Sequence, residues 1–159
     1  MNRRLLSVLL AAVLGCGGSQ AAGVSPQELA TTPEAAVRNF MQAVADSNIS
    51  RMGQFWGSAS GPATVTRQPA DYQDRLVVTQ AYLRQSPFRL LRTDPLPNQA
   101  DRRAVQVEFD RVDLDGKRCT RAVPITVLNA GKHGWIVTGL DLNQVGTPGR
   151  SCSVTRSGT

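Results

Sequence analysis

The sequence predicts an α+β domain in which helices come first along the chain and a four-stranded antiparallel sheet follows them. Before Pro87, apolar residues recur at the spacing of an α-helix, whereas after Pro87 they alternate with polar residues. The chain has 159 residues, of which 41% are apolar and 19% charged, so it is long enough for one domain with a buried core. Helices that precede such a sheet are expected to pack on one of its faces.

Two helices are predicted between residues 33 and 57. Thr32 before Pro33 is an N-cap followed by proline at the first helical position, which begins a helix over 33–46. A capping box of Thr31 with Glu34 is the alternative start. Ser47 or Asn48 caps a second, shorter helix that ends at Gly57. The apolar stripe of each helix consists of Val37, Phe40, Met41 and Val44 on the first, and of Ile49, Met52, Phe55 and Trp56 on the second.

A loop and a third helix are predicted next. Residues 57–70 are rich in Gly, Pro, Ser and Thr and form the loop, in which a short strand at Thr64–Thr66 is one option. Asp71 begins the third helix, and Pro87 prevents its continuation. The residues that repeat near the helical period are Tyr72, Leu76, Thr79 and Leu83.

Four strands are predicted after Pro87, the first at Phe88–Arg92. Asp115-Gly116 is a hairpin signal between the second and third strands, and residues 130–134 turn into the fourth, Trp135–Leu142. Pro124 cannot donate to a ladder, so we expect it at an edge or a bulge. The alternating apolar residues are Val105, Val107 and Phe109 in the second strand, and Val123, Ile125 and Val127 in the third.

The N-terminus resembles the signal segment of a bacterial lipoprotein. Arg3 and Arg4 precede an apolar run over 5–14, which at about 1.5 Å per residue is too short to cross a bilayer. The run ends in Val13-Leu14-Gly15-Cys16, which is similar to a lipobox. The resemblance implies cleavage before Cys16 and a diacylglycerol and palmitate anchor on its sulfur. An ordinary secretory signal with an incidental cysteine is the alternative.

These features divide the chain into a signal peptide over 1–15, a flexible tether over 16–30, a domain over 31–142 and a tail over 143–159. By resemblance to lipoproteins, the absence of Asp after Cys16 implies an address in the cell envelope, at the outer membrane and facing the periplasm. Arg3-Arg4 leaves open whether export follows the general or the twin-arginine route.

Cysteine usage predicts one disulfide. With Cys16 acylated, Cys119 and Cys152 are the two remaining thiols, in a compartment where thiols oxidise. A Cys119–Cys152 bridge would pin the Gly- and Ser-rich tail to the sheet. Two free cysteines are the alternative.

The domain resembles small exported members of the NTF2-like superfamily, which includes ketosteroid-isomerase-like proteins. The resemblance rests on Thr32 to Phe40, Ala43 to Asn48, the Met52 to Trp56 helix and the closing strand at Gly134 to Val137. It implies a strongly curved sheet wrapped around helices, forming a cone that can hold a small apolar ligand. The candidate pocket lining is then Phe40, Trp56, Tyr72, Tyr82, Phe109 and Trp135.

Acid/base catalysis in such a cone would need ionisable groups that project into it. Glu108 and Asp110 alternate with the apolar residues of their strand and are expected to face solvent, and Asp74 is expected at the surface. His133 is the one histidine, and no CxxC pair exists for a zinc site. The sequence therefore predicts no catalytic residue, no metal and no cofactor.

Two functions remain open at this stage. The favoured one is a non-catalytic, membrane-anchored module that binds a small apolar ligand or an envelope protein, and the alternative is a small-molecule isomerase, dehydratase or cyclase. Without residues 1–15, 16 basic and 12 acidic side chains remain and are interleaved, which is unlike a nucleic-acid-binding stripe. Both faces of the last strand are apolar, with Trp135 and Val137 on one and Ile136 and Leu140 on the other, which predicts a covered outer face and a homodimer.

Overall fold

A computed structural model describes residues 29–152 and confirms the predicted α+β architecture. Four antiparallel strands lie in chain order in one sheet: β3 (Phe88–Leu96), β4 (Gln99–Val112), β5 (Arg118–Asn129) and β6 (Trp135–Leu140). Within 29–152, no helix has the length and apolar character needed to cross a membrane. The predicted signal peptide, Cys16 and all but the last two residues of the predicted tether lie outside the described residues.

Side-chain caps begin the first two helices as the sequence predicts. In α1 (Pro33–Ala45), the Thr32 hydroxyl accepts a hydrogen bond from the backbone N–H of Ala35 at 3.1 Å. In α2 (Ile49–Phe55), the Asn48 side chain accepts one from the N–H of Arg51 at 2.9 Å, which settles the choice between Ser47 and Asn48. Both helices therefore start where a short polar side chain satisfies a free backbone N–H.

The segment after α2 differs from its prediction. A two-stranded ladder of β1 (Gly57–Ser58) and β2 (Gly61–Pro62) is followed by one helical turn, α3 (Ala63–Thr66), where the sequence offered a strand at Thr64–Thr66. The Thr66 hydroxyl donates to the carbonyl of Pro62 at 3.1 Å and so stabilises the turn locally. The third predicted helix is confirmed as α4 (Tyr72–Leu83).

The core lies between the helices and one face of the sheet. α1 crosses β4, β5 and β6, and its apolar stripe meets the alternating residues of the strands. In register, Phe88 pairs with Phe109, and Val107 with Val123. Because strand side chains alternate between faces, these pairs place one continuous apolar row beneath the helices. The fully buried members of the core include Val37, Phe40, Val44, Val105, Val107, Phe109, Val123 and Ile125.

Irregular register bends the sheet around the helices, at two positions within the strands and at Pro95/Leu96 beside the turn from β3 to β4. The register of β3 against β4 shifts between Leu90 and Arg92, and that of β5 against β6 shifts between Thr126 and Val127. Each shift is a β-bulge, which bends its strand and increases the local twist. Pro124 of β5 pairs with Gln106 of β4 on one side. On the other side, the pairing of β5 with β6 begins only at Ile125, so Pro124 lies beyond the end of β6.

The C-terminal segment is part of the folded body. α5 (Leu142–Val145) brings the fully buried Val145 into the core, and the predicted disulfide is confirmed, with Cys119 and Cys152 joined across a separation of 33 residues. The Asp113 carboxylate also accepts a hydrogen bond from the backbone N–H of Cys152 at 2.9 Å. The bridge and this bond hold the end of the described chain against the turn between β4 and β5.

Replacing both bridge cysteines, Cys119→Ser with Cys152→Ser, is expected to lower the free energy of unfolding by about 3 to 4 kcal/mol. The reason is that the bridge closes a loop of this length in the unfolded chain and so reduces the conformational entropy that folding must remove. Urea unfolding followed by far-UV circular dichroism measures the loss. Oxidised wild-type protein is the reference, and wild-type protein with reductant should match the double variant. Equal unfolding free energies with and without reductant would contradict the assignment.

Candidate functional site

An apolar cleft of about 460 Å³ opens between α1, α4 and the C-terminal end of β6, and we call it the α4 cleft. Several separate elements contribute to it, since one residue comes from α1, one follows α2, four lie on α4 and the rest belong to β6 and α5. The lining residues are Phe40, Trp56, Asp74, Arg75, Val78, Thr79, Val137, Thr138, Gly139, Leu140 and Leu142.

The floor of the α4 cleft is apolar and rigidly placed. Phe40 and Val137 are each 1% exposed, so both are held by core packing as well as facing the cleft. Trp56, Leu140 and Leu142 are half-buried around them. Removal of this apolar surface from water would stabilise a bound molecule by about 25 cal/mol per Å² before the costs of binding.

The bulge in β6 shapes one wall of the cleft. Val137 pairs with Val127 while Gly139 pairs with Thr126, so Thr138 is the extra residue, and its hydroxyl donates to the Thr126 carbonyl at 3.3 Å. A parallel bridge between Trp56 and Val137 closes the adjacent side. The bend therefore turns residues 137–140 around the cleft instead of continuing a flat sheet.

Apart from Thr138 on β6, the polar side chains of the cleft lie on α4. Asp74 is exposed on the lining, and the Arg75 guanidinium donates to both carboxylate oxygens of Asp71 at 3.0 Å. The Thr79 hydroxyl donates to the Arg75 carbonyl at 2.9 Å. The arrangement suits a ligand that is mostly apolar and turns a polar group towards solvent along α4.

The strand carboxylates lie on the predicted face of the sheet, but the solvent exposure expected of Glu108 is wrong, since its side chain is only 17% exposed. Glu108 forms an ion pair with Arg89, its register partner on β3, on the sheet face opposite Val107 and Phe109. Asp110 is exposed. Both carboxylates are therefore directed away from the helices and from the core.

Two of the six pocket residues predicted from the sequence line the α4 cleft, namely Phe40 and Trp56. Tyr72 is buried in the core, with its ring against Gly53, and Phe109 is fully buried beneath the helices. Tyr82 borders a second cavity of about 280 Å³, and Trp135 lies beneath the guanidinium of Arg103. Tyr72 and Phe109 do not line the cleft, because both side chains are packed into the core.

The sequence analysis missed the lining contributed by α4 and the end of β6. Val78 and its neighbour Val77 are each about half exposed, although they are β-branched and apolar. The sequence did contain a signal for this lining: two valines follow Leu76 directly, so they cannot lie on the same buried stripe of the helix as Leu76. The contribution of residues 138–142 had no comparable signal, because it depends on the bulge at Thr138.

A buried arginine forms a second polar cluster, at the end of the sheet next to the disulfide. Arg111 is 6% exposed, and burial lowers its pKa, an effect that the nearby Asp113 carboxylate opposes. Its guanidinium donates to the Ser151 hydroxyl at 3.0 Å and to the Tyr82 carbonyl at 2.9 Å. It also donates to the Ser86 hydroxyl and, at 3.2 Å, to the Gly146 carbonyl.

These contacts make Arg111 a structural residue. Its acceptors come from α4, from the loop between α4 and β3 and from the C-terminal segment, so one side chain ties three parts of the chain together. Arg121 adds a hydrogen bond to the Ser151 carbonyl at 2.9 Å. Within residues 29–152, no group of three or more His, Cys, Asp or Glu side chains is placed to hold a metal ion.

Comparisons with known proteins yield a distant likeness in structure. No protein-family profile and no curated protein matches the chain. A solved structure, the "Putative calcium/calmodulin dependent protein kinase II association domain" from Xanthomonas campestris, is 11% identical and has a TM-score of 0.35, with 69% of this chain and 86% of that one covered. The fold described above follows from the chain's own elements, and membership of the NTF2-like superfamily stays a prediction.

Replacing Arg111 with methionine is expected to lower the free energy of unfolding by about 3 kcal/mol, because it leaves several buried acceptors without a donor. Arg118→Met is the matched control: the exposed Arg118 lies opposite Val112 in the same hairpin, and its loss should cost less than about 0.5 kcal/mol. Urea unfolding of both variants measures the difference. Equal stabilities would contradict the structural role of Arg111.

Proposed function

We propose that this protein is an exported lipoprotein, anchored through Cys16, whose folded domain binds a small and mostly apolar molecule in the α4 cleft. The observation that carries the binding role is the cleft itself: a cavity of about 460 Å³ whose floor combines Phe40, Trp56 and Val137. This volume falls within the range of about 300 to 1,000 Å³ that is typical of small-molecule sites.

The chemistry of the lining supports binding by burial. Six of the lining residues have apolar or aromatic side chains, and the charged ones, Asp74 and Arg75, are exposed on α4. Arg75 is already paired with Asp71. A ligand would therefore gain most of its affinity from apolar contact with the floor, while the polar wall would fix its orientation.

The proposed anchor is supported by the sequence of the N-terminus. A charged segment, an apolar run over 5–14 and the lipobox-like Val13-Leu14-Gly15-Cys16 follow each other in the order of a lipoprotein signal. Two or three acyl chains hold a protein on a membrane stably, whereas a single chain is marginal. Three further features stay predictions: an outer-membrane position facing the periplasm, an envelope-protein partner and a homodimer. The alternative of an enzyme also stays a prediction, and it would depend on Asp74 as the lining carboxylate.

The α4 cleft can be blocked without disturbing the core. Val78→Asp places a carboxylate in the lining at a half-exposed position, so it should weaken binding of the apolar probe anilinonaphthalene sulfonate by about tenfold or more, because the charge must stay hydrated. Fluorescence titration measures the dissociation constant. Native mass spectrometry of protein purified from its own envelope identifies any molecule that stays bound.

Val77→Asp is the matched control for this experiment. Val77 is adjacent on α4 and equally exposed, at 52% against 50% for Val78, but lies outside the cleft lining found in the described structure. The probe is itself an anion, so an added carboxylate repels it even from outside the cleft. Both variants add the same charge, so this repulsion is matched, and Val77→Asp should bind the probe with an affinity close to that of the wild type. Equal weakening in the two variants, or none in Val78→Asp, would remove the cleft as the site.

Replacing Cys16 with serine is expected to abolish acylation, because the oxygen cannot form the thioether to diacylglycerol. The mature protein should then lose its acyl mass and leave the membrane fraction. Mass spectrometry of the N-terminal peptide and fractionation of cells test both outcomes. Fractionation of the variant with membranes at the wild-type level would contradict the proposed anchor.

A further inference from the structure

The folded chain is fixed to one end of the sheet where it emerges from the tether. The carbonyl of Ala30 accepts a hydrogen bond from the backbone N–H of Trp135 at 2.8 Å, which holds the start of the domain beside the first residue of β6. Gly134 permits this approach: its φ is +69°, and a Cβ there would lie 2.5 Å from the Ala30 oxygen. We call this region the tether end.

Three cationic residues lie at the same end of the sheet as the tether end. Arg102 and Arg103 lie on β4, opposite Leu128 and Val127 near the end of β5, and Lys132 is exposed in the turn between β5 and β6. The guanidinium of Arg103 lies over the half-buried ring of Trp135, 5.8 Å from its centroid. This contact fixes a positive charge directly beside the point of entry.

The acidic groups near these cations leave them an excess of positive charge. Asp101 is the exposed neighbour of Arg102. Asp94 is paired with Arg92, and the carboxylate of Glu34 is hydrogen-bonded by Thr93, which lowers its pKa. None of the ion pairs within residues 29–152 involves Arg102, Arg103 or Lys132. Asp101 and the ionised Glu34 both lack an ion pair among the described residues, so the three cations exceed these two carboxylates by one positive charge.

We propose that the tether end is a docking surface for the anionic headgroups of the bilayer that holds the lipid anchor, with Arg102, Arg103 and Lys132 as the phosphate-facing groups. The inference rests on the anchor proposed above. The twelve residues 17–28 separate Cys16 from the folded chain, and a flexible segment of that length has a mean reach of about 20 Å.

Electrostatic attraction acts over the remaining distance. The Debye length is about 8 Å at physiological ionic strength, so a surface kept close by a short tether can sense the surface potential of an anionic leaflet, whereas the opposite end of the sheet cannot. Each basic residue near an anionic leaflet raises the partition by about five-fold. Trp135 is suited to the same position, because its ring is amphipathic and favours the headgroup region.

The two lysines of the chain provide the test. Lys132 lies at the tether end, whereas Lys117 lies in the turn between β4 and β5 at the opposite end, and both are exposed. The full acylated protein is incorporated into vesicles of phosphatidylcholine alone or with phosphatidylglycerol. A water-soluble amine reagent is then applied, and peptide mass spectrometry gives the ratio of Lys132 to Lys117 labelling.

We expect this ratio to fall by about five-fold or more on the anionic vesicles relative to the neutral ones, and to recover at high salt. Arg102→Glu should abolish most of the protection. Arg118→Glu, the same charge change at the opposite end, should leave it intact. Equal ratios on the two vesicle types, or equal effects of the two variants, would overturn the proposal.

The outcome is separable from the fate of the anchor and of the cleft. Flotation with neutral vesicles reports the acyl anchor alone, so a protein that floats without protection of Lys132 contradicts only the docking surface. Failure to float, together with the absence of acyl mass on Cys16, contradicts the anchor and, with it, this proposal. Probe binding in the α4 cleft is independent of either result.

Discussion

The packing of α1 against one face of the sheet is the constraint on which the rest of the structure depends. The helix has a single apolar stripe, and the strands present a matching row at every second residue, so the two surfaces can exclude water in one relative arrangement only. A shift of one residue in β4 would turn Val105, Val107 and Phe109 to solvent and bring Glu108 under the helix. The register of the sheet and the position of the helices therefore fix each other.

The α4 cleft is a consequence of how far that packing extends. α1 packs against β4, β5 and β6, and the cleft opens where the bulge at Thr138 bends the end of β6 beside α4. Phe40 and Val137 thus belong both to the core and to the cleft. A site built this way has a rigid floor, because its side chains are already held by the interior, and a ligand need not pay to order them.

The sequence predicted the elements whose signals are local. The caps at Thr32 and Asn48, the stripe of α1 and the alternation of β4 and β5 depend on neighbouring residues, and all are present in the structure. The cleft was predicted only in part, since its lining comes from five elements and a bulge that leaves no pattern in the sequence. Arg111 was missed because a buried arginine looks like a surface one until its acceptors, which lie 25 to 40 residues away, are brought around it. The turn at Thr64–Thr66 shows the same limit on a smaller scale, as three β-branched residues form a helix that Pro62 and Thr66 stabilise.

The two ends of the described chain lie at opposite ends of β5. Ala30 sits beside Trp135, whose register partner is Asn129, and Cys152 is bonded to Cys119. Ten residue steps of extended strand between those two partners correspond to roughly 33 Å. The body between these two points thus acts as a spacer of fixed length, with Cys152 roughly 33 Å from the place where the described chain enters the fold. Energy transfer between labels placed next to Ala30 and next to Cys152 would accordingly report the orientation of the body as a whole, with little contribution from bending inside it.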